Sequence, residues 1–401
     1  MKYVVILGDG MADYRQSFLG DKTPLMLANK PFIDSLAKKS EVGLCQTVPC
    51  SLKPGSDVAN LSVLGYNPEE CYSGRSPLEA ASIGIELKDT DITARANLVC
   101  VSNEEKYQDK AMIDYSAGEI STVEAKVLIE YLAKHLNNEK YSLHAGISYR
   151  HCLVIDNGSL AGDLTPPHDI TNKPIKEHLP KSAQGKELLE LMVKSYDLLK
   201  DHPVNLKRIS QGKNPANSLW FWGDGTKPNL QSFYDKFNKK GGIISAVDLL
   251  KGIGKLADMK VIEVEGATGN YDTNFDGKAK ACVENLLGGL DFVYVHMEAP
   301  DECGHHGDAK NKIYSIEQID KVVETIATEL KKANEDFAML ILPDHPTPLS
   351  IMTHCSDPVP YLLYNSKKQA TGVQSYDEEQ ANATGIFVEK GYELIGKLFN
   401  Q

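Results

Sequence analysis

Three short apolar runs, the first of them β-branched, each lead into acidic or acidic–histidine residues, which restricts the chain to an α/β sheet with its chemistry at the strand ends. Tyr3-Val4-Val5-Ile6-Leu7 runs into Gly8-Asp9-Gly10; Phe292-Val293-Tyr294-Val295-His296 leads to Glu298-Ala299-Pro300-Asp301; Phe337-Ala338-Met339-Leu340-Ile341-Leu342 leads to Pro343-Asp344-His345. Continuous apolar runs of this length fit strands covered on both faces, as in a parallel sheet whose ligands bind past the carboxyl ends. Between the last two runs, Ile313, Ile316, Ile319, Val322, Val323, Ile326 and Leu330 recur at helical spacing, so residues 311–333 are predicted to form an amphipathic helix. Strand, long helix, strand is the unit of a parallel α/β sheet.

Residues 89–215 read differently. They hold short strand-like runs at 94–101 and 151–155 and helical stretches at about 120–136 and about 182–200, without an acidic–histidine cluster. They are predicted to form a smaller inserted α/β (α+β) domain that acts as a lid, leaving a discontinuous core of residues 1–88 and 216–401. The Pro/Gly-rich stretch at 212–215 and the apolar run Leu219-Trp220-Phe221-Trp222-Gly223 mark the expected return to the core. Gly241-Gly242 and the Gly252/Gly254 pair are read as tight turns.

Composition narrows the function. The chain has 401 residues, 42% of them hydrophobic, enough for two packed cores, and carries 43 Lys and Arg against 55 Asp and Glu. The formal charge of −12 opposes binding to nucleic acid or an anionic membrane. No apolar run approaches the roughly 20 residues of a membrane span. Eight cysteines lie scattered without a C-x-x-C pair, and no basic segment or cleavage site precedes the first strand, so free thiols in the cytoplasm are expected. The arginines are Arg15, Arg75, Arg95, Arg150 and Arg208, and bidentate capture of a phosphate or carboxylate must come from among them.

The acidic and histidine residues look like a two-metal site. Asp301 and His305 are four apart and share a face on a helical turn, where they can grip one ion that His354 completes. Asp344 and His345 are adjacent; past a strand end the chain can turn both inward, and with Asp9 and Ser56 they form a second ligand set. Carboxylate mixed with imidazole suits manganese or zinc, with magnesium and cobalt also compatible, and does not suit an all-oxygen calcium cage or a thiolate zinc site. Each element alone is weak, since an Asp after a strand is commonly structural and D-x-x-x-H pairs arise by chance among 11 histidines. Their joint order after strand-like runs carries the reading. His306, beside His305, is read as a residue outside the ligand set. Ser56, in Lys53-Pro54-Gly55-Ser56-Asp57, reads both as the N-cap of a helix beginning at Val58 and as a nucleophile, and the roles are compatible because a helix start favours alkoxide and phosphate.

Several stretches resemble the alkaline phosphatase superfamily and, within it, the archaeal-type cofactor-independent phosphoglycerate mutases: ILGDGMAD at 6–13, KPGSDVANLSVLGYNP at 53–68, GRSPLEAASIG at 74–84, EGATGNYDTN at 265–274, HMEAPDECGHHGD at 296–308, PDHPTP at 343–348 and THCSDPVP at 353–360. The resemblance spans nearly the whole chain. It implies an alkaline phosphatase-like core with a mostly parallel sheet flanked by helices. It implies one metal on Asp301, His305 and His354 and another on Asp9, Ser56, Asp344 and His345. It also implies that Ser56 takes the phosphoryl group of 3-phosphoglycerate and returns it as 2-phosphoglycerate, with two divalent ions and no 2,3-bisphosphoglycerate, and that the insert excludes water.

Within the insert, Arg95, Arg150, His151, His168 and Asp169 are expected to bind the small phosphorylated carboxylic acid, the arginines through its anionic groups and the His–Asp pair by proton transfer at the hydroxyls. Arg75 is read as structural, with a place facing the cleft as the alternative; Lys227, Lys255 and Lys278 are weaker choices. Two other activities fit the same scaffold. A homoserine kinase would need a nucleotide donor, against which stands the absence of a G-x-x-x-x-G-K-[ST] loop. A plain phosphatase or phosphonate hydrolase would admit water, against which stands the large insert. The sequence leaves the oligomeric state open.

Overall fold

The computed structural model describes residues 1–401, which divide into two compact units, 1–72 with 229–401, and 73–228. In chain order the strands are β1 (Lys2–Gly8) and β2 (Glu41–Cys45) in the first unit. The inserted unit holds β3 (Ile92–Val101), β4 (Met112–Asp114), β5 (Tyr141–His144), β6 (Arg150–Ile155) and β7 (Ser218–Thr226). The chain then returns with β8 (Gly241–Ile244), β9 (Lys260–Ile262), β10 (Phe292–Met297), β11 (Phe337–Leu342), β12 (Val359–Asn365) and β13 (Phe387–Val388).

The core unit carries an eight-stranded sheet of order β13-β2-β12-β11-β1-β10-β8-β9. β9, β8, β10, β1 and β11 run parallel, while β12 is antiparallel to both neighbours. All of β10 and β11, and all but the first residue of β1, are buried, as strands covered on both faces must be. The predicted amphipathic helix is Ala309–Lys332, started by Asp308, whose carboxylate accepts the Asn311 N–H. It lays Ile316, Ile319, Val322, Val323, Ile326 and Leu330 against Val4, Ile6, Val293, Val295, Met339 and Ile341. At about 1.5–3 kcal/mol for each large aliphatic side chain removed from water, that face outweighs the helix's own propensity. The sheet's other side includes Phe233 stacked on Phe292, with centroids 4.9 Å apart, and Phe399 edge-on to Phe292 and Tyr3.

The inserted unit is α+β. Its strands are all antiparallel, in the order β4-β3-β6-β5 with β7 on the other side of β3. Helices Thr122–Leu136 and Ala183–Leu199 pack on them, close to the predicted limits. Two boundary expectations are corrected. The helix Ser76–Ser82 belongs to this unit, and so does the run Leu219–Trp222, which is not the return to the core. That run lies in β7 and pairs with β3 from Ile92↔Thr226 to Val99↔Ser218, and a cross-strand ladder binds it more firmly than its place in sequence.

The glycine pairs are not turns either. Gly241-Gly242 opens β8, and Gly252 and Gly254 lie in the helix Asp248–Leu256. A Cβ on Gly254 would come within 2.5 Å of Ile243 Cγ2, so this glycine lets helix and strand approach closely.

Candidate active site

Parallel pairing decides where the chemistry collects. β1 lies between β10 and β11, with Leu7 opposite both His296 and Leu342, so the segments leaving these three strands emerge side by side at one sheet edge. Asp9 follows β1, Asp301 lies in the helix Ala299–His305 just after β10, and Asp344 and His345 follow β11. All four are buried. Gly10, at φ +61°, makes the turn, and a Cβ there would lie 2.6 Å from both Asp301 Oδ1 and Thr347 Oγ1; the site is packed too closely for any side chain.

Asp301, His305 and His354 form one group, and Asp9, Asp344 and His345 the other; within each, the ligand atoms lie within 4.8 Å of one another. The helical spacing does bring Asp301 and His305 together, His305 Nε2 lying 3.2 Å from Asp301 Oδ2. His354 Nε2 is 3.5 Å from Asp301 Oδ1 and 2.9 Å from His305 Nε2. His305 Nδ1 donates to the Met352 carbonyl at 3.1 Å, which turns Nε2 toward Asp301 and His354. The groups adjoin: the His345 and His354 rings are 4.1 Å apart, and the Thr347 hydroxyl reaches both Asp301 and His345. His306 is exposed, its Nδ1 on the Glu302 carbonyl, outside both groups.

Ser56 begins the helix Ser56–Val63 but does not cap it; Gly55 holds that position without a side-chain cap. The hydroxyl is therefore free of the capping role the sequence allowed. Its Oγ lies 3.2 Å from His345 Nε2 and 3.5 Å from Asp9 Oδ2.

Electrostatics test whether these residues suit a cation. Burial, then the negative charges of Asp344, Asp301 and Glu298, push Asp9 well above the usual carboxylate range, and its Oδ1 is buried without a hydrogen-bond partner. Burial works against ionised Asp301, yet hydrogen bonds from His305 and His354 hold it well below its ordinary value. The same contact with Asp301 lifts His305 to about 9, while burial lowers His345. Crowded carboxylates, an orphaned buried oxygen and converging imidazole nitrogens fit divalent cations; the donors are oxygen and nitrogen, with no thiolate in either group.

Sequence reading missed the residues that hold the candidate ligands. Asn60 donates to Asp344 Oδ2 at 2.9 Å and accepts from the Tyr294 hydroxyl; His296 contacts Asp9 Oδ2 at 2.9 Å. The signal was a polar residue inside, or at the end of, an otherwise apolar run, as His296 stands in 292–296.

The inserted unit gathers cations. Arg95 lies 2.8 Å from Glu79 at an angle too poor for a hydrogen bond, and Arg75 donates to the same carboxylate at 2.9 Å. Burial presses on Glu79, but Arg95 and Arg75 keep it below its ordinary value; burial lowers Arg95 itself to about 10. The Arg95 guanidinium sits 3.9 Å from the Trp222 ring centre, and His168 packs edge-on to that ring at 5.2 Å. Arg150 lies close enough to act on both Glu79 and Arg95, and Asp169 is exposed, 3.5 Å from His168. The structure thus brings Arg75, Arg95 and Arg150 together around one carboxylate, with His168 on the Trp222 ring that Arg95 also covers, and Arg75 belongs with the other arginines.

His151 does not join them. It stands between Arg150 and Cys152 on β6, opposite Ala96 where Cys152 opposes Arg95, and the two-residue period of a strand sends it to the other face. There it is buried, its Nδ1 accepts from Gly146 N at 3.0 Å, and burial lowers it to about 3.

Comparison with known proteins agrees with this architecture. A family model for 2,3-bisphosphoglycerate-independent phosphoglycerate mutase matches residues 37–205. A protein of that name from Methanosarcina barkeri is 49% identical over 401 residues, 99% of each chain, and a probable one from Geobacter sulfurreducens is 46% identical over the whole of both. Among solved structures, a Pyrococcus horikoshii protein superposes with TM-score 0.83 at 29% identity, covering 100% of this chain and 96% of its own. The cofactor-independent phosphoglycerate mutase of Thermoplasma acidophilum gives 0.67 at 25%, covering 100% and 99%. By full-length likeness of this degree, the chain belongs to the 2,3-bisphosphoglycerate-independent phosphoglycerate mutase family.

Proposed function

We propose that this protein is an isomerase that interconverts 3-phosphoglycerate and 2-phosphoglycerate through a phosphoserine on Ser56, without 2,3-bisphosphoglycerate. The observation that carries the reading is the Ser56 hydroxyl, free of any capping role at a helix start and 3.2 Å from His345 within an acidic–histidine group.

Asp301, His305 and His354 would hold one divalent ion, and Asp9, Asp344 and His345, with Ser56, the other, manganese being the first choice for mixed carboxylate and imidazole donors. When bound, such ions supply charge screening for the transferring phosphoryl group and a lower pKa for the serine hydroxyl. Ser56 Oγ attacks phosphorus, the O3–P bond breaks, and glycerate stays bound. Glycerate O2 then attacks the phosphoserine, and the Oγ–P bond breaks to regenerate the serine. Phosphorus changes partners twice and no water, nucleotide or oxidant enters. The open N–H groups at the start of Ser56–Val63 favour the phosphoryl oxygens in both steps.

Recognition of the substrate's carboxylate and phosphate is assigned to Arg95 and Arg150 of the inserted unit, with Arg75. Three cations around the single carboxylate of Glu79 leave positive charge over, and Arg95 Nε keeps a buried N–H without an acceptor. Proton transfer at the glycerate hydroxyls is assigned to His168 with Asp169. The reading implies a reducing cytoplasm, consistent with eight unpaired cysteines.

An enolase-coupled assay tests it. Turnover of 3-phosphoglycerate with added Mn²⁺ and no 2,3-bisphosphoglycerate is the expected result. Metal-loaded, folded protein that forms no 2-phosphoglycerate would overturn the reading.

A further inference from the structure

His296 is fully buried at the C-terminal end of β10, and every polar atom on its ring has a partner. Nε2 lies 2.9 Å from Asp9 Oδ2 and Nδ1 lies 3.1 Å from Ser245 Oγ. The direction of these bonds follows from Ser245. Its oxygen already accepts the Val247 N–H at 3.0 Å, so its single hydrogen is available for Nδ1. Nδ1 then accepts, the ring proton sits on Nε2, and Nε2 donates to Asp9. With Asp9 ionised, as a cation ligand must be, the opposite tautomer would set an imidazole lone pair against a carboxylate lone pair in a buried site, without compensation.

This bond separates the two Asp9 oxygens. Oδ2 is held by His296, while Oδ1 is left without a hydrogen-bond partner, 3.7 Å from His345 Nε2. The His296 backbone is tethered as well: its carbonyl accepts from the buried Lys278 ammonium at 3.0 Å. We infer that the Ser245–His296 relay is a positioning device that locks Asp9 with Oδ1 presented to a divalent cation and Oδ2 withheld, an inference that rests on the metal assignment above. A second partner of this kind fixes both the rotamer and the basicity of a ligand.

The test is Mn²⁺ titration of chelator-stripped full-length protein, with free ion read by electron paramagnetic resonance, and thermal melts of the stripped proteins as the fold control. Wild type is expected to take up two ions. In His296→Gln the side-chain amide donates from nearly the Nε2 position and has no tautomer to lose, so affinity should stay within about threefold of wild type. His296→Leu removes the donor and Ser245→Ala frees the ring to take the wrong tautomer; each should weaken one of the two ions by roughly 10–100-fold. If the leucine variant does not fold, Ser245→Ala, the smaller change, carries the test. Wild-type affinity at both ions in Ser245→Ala and His296→Leu, or a loss in His296→Gln as large as in His296→Leu, overturns the positioning role alone. Stripped wild type that binds no Mn²⁺ overturns the metal assignment and the relay with it.

Discussion

The core unit and the inserted unit concentrate opposite charge by different means. In the core, parallel strands deliver Asp9, Asp301 and Asp344 from three neighbouring ends into one buried place, and burial with mutual repulsion lifts Asp9 out of its ordinary range. In the insert, antiparallel strands and the helix Ser76–Ser82 bring Arg75, Arg95 and Arg150 around Glu79 alone. One unit holds acids that want a cation, the other cations that want an anion. A parallel sheet gathers side chains at an edge, because all its strands end on the same side. An antiparallel sheet gathers them on a face, because alternate residues of paired strands stand together.

The largest expected effect tests the core's reactive end. Ser56→Ala should lower turnover in the enolase-coupled assay by about 10³-fold or more, with metal content and melting temperature little changed. Activity near wild type would remove the phosphoserine route.

Next, one substitution in each unit should move stability in opposite directions. Arg95→Ala strips the cation from a largely buried pair and should cost about 3 kcal/mol, the low end for such a loss because Glu79 keeps Arg75, together with a raised KM for 3-phosphoglycerate. Asp9→Asn removes a charge the fold disfavours, so the chelator-stripped protein should become more stable while its metal affinity falls. Urea titration of both variants checks the pair, and destabilisation of stripped protein by Asp9→Asn would break the contrast.

How far this was legible in the sequence follows the same division. The core's strand ends could be read because continuous apolar runs are unmistakable and the candidate ligands follow directly: Asp9, Asp301, Asp344 and His345 all lie just past β1, β10 and β11. The insert was read less well. Its chemistry depends on which strands pair, and pairing is not local: Trp222 meets Arg95 across β3 and β7, from 127 residues away, and so a run that looked like the return to the core lies beside the arginines. His151 was misplaced by adjacency, since sequence neighbours on a strand face apart. Asn60 and His296 went unread because a polar residue among apolar neighbours gives no sign of what it will touch, and Thr347, between two prolines past the end of β11, belongs to no periodic run.

Acidity should separate the units further. Burial holds His151 neutral in the folded insert, at about 3 against an ordinary 6.5, so the unfolded chain takes up a proton first as pH falls. Stability from this residue is complete above about 6.5 and drains away toward about 3, by up to about 1.4 kcal/mol for each pH unit. His305 has the opposite sign, because Asp301 holds it at about 9; in stripped protein its contribution is complete below 6.5 and disappears as pH rises through about 9, more weakly since the ring is partly exposed. Urea midpoints of stripped protein between pH 4 and 9 measure both. His151→Asn, whose side-chain oxygen can still accept from Gly146, should flatten the acid limb by one proton, and His305→Gln the alkaline limb.

The smallest expected effect decides between neighbours at the mouth of the core site. His305 and His306 are adjacent, but the helix Ala299–His305 turns His305 inward, where Nε2 lies 3.2 Å from Asp301, and leaves His306 exposed with only the Glu302 carbonyl on its ring. His306→Ala should therefore leave metal content at two per chain and shift stability by no more than about 0.5 kcal/mol, the usual scale for an exposed position. His305→Ala should release one of the two ions, because it removes one of three donors and leaves Asp301 and His354 alone. Metal analysis after gel filtration reads both. Equal metal loss in the two variants would mean that the helix end unwinds to offer either ring, and the assignment of that ligand to His305 alone would fall.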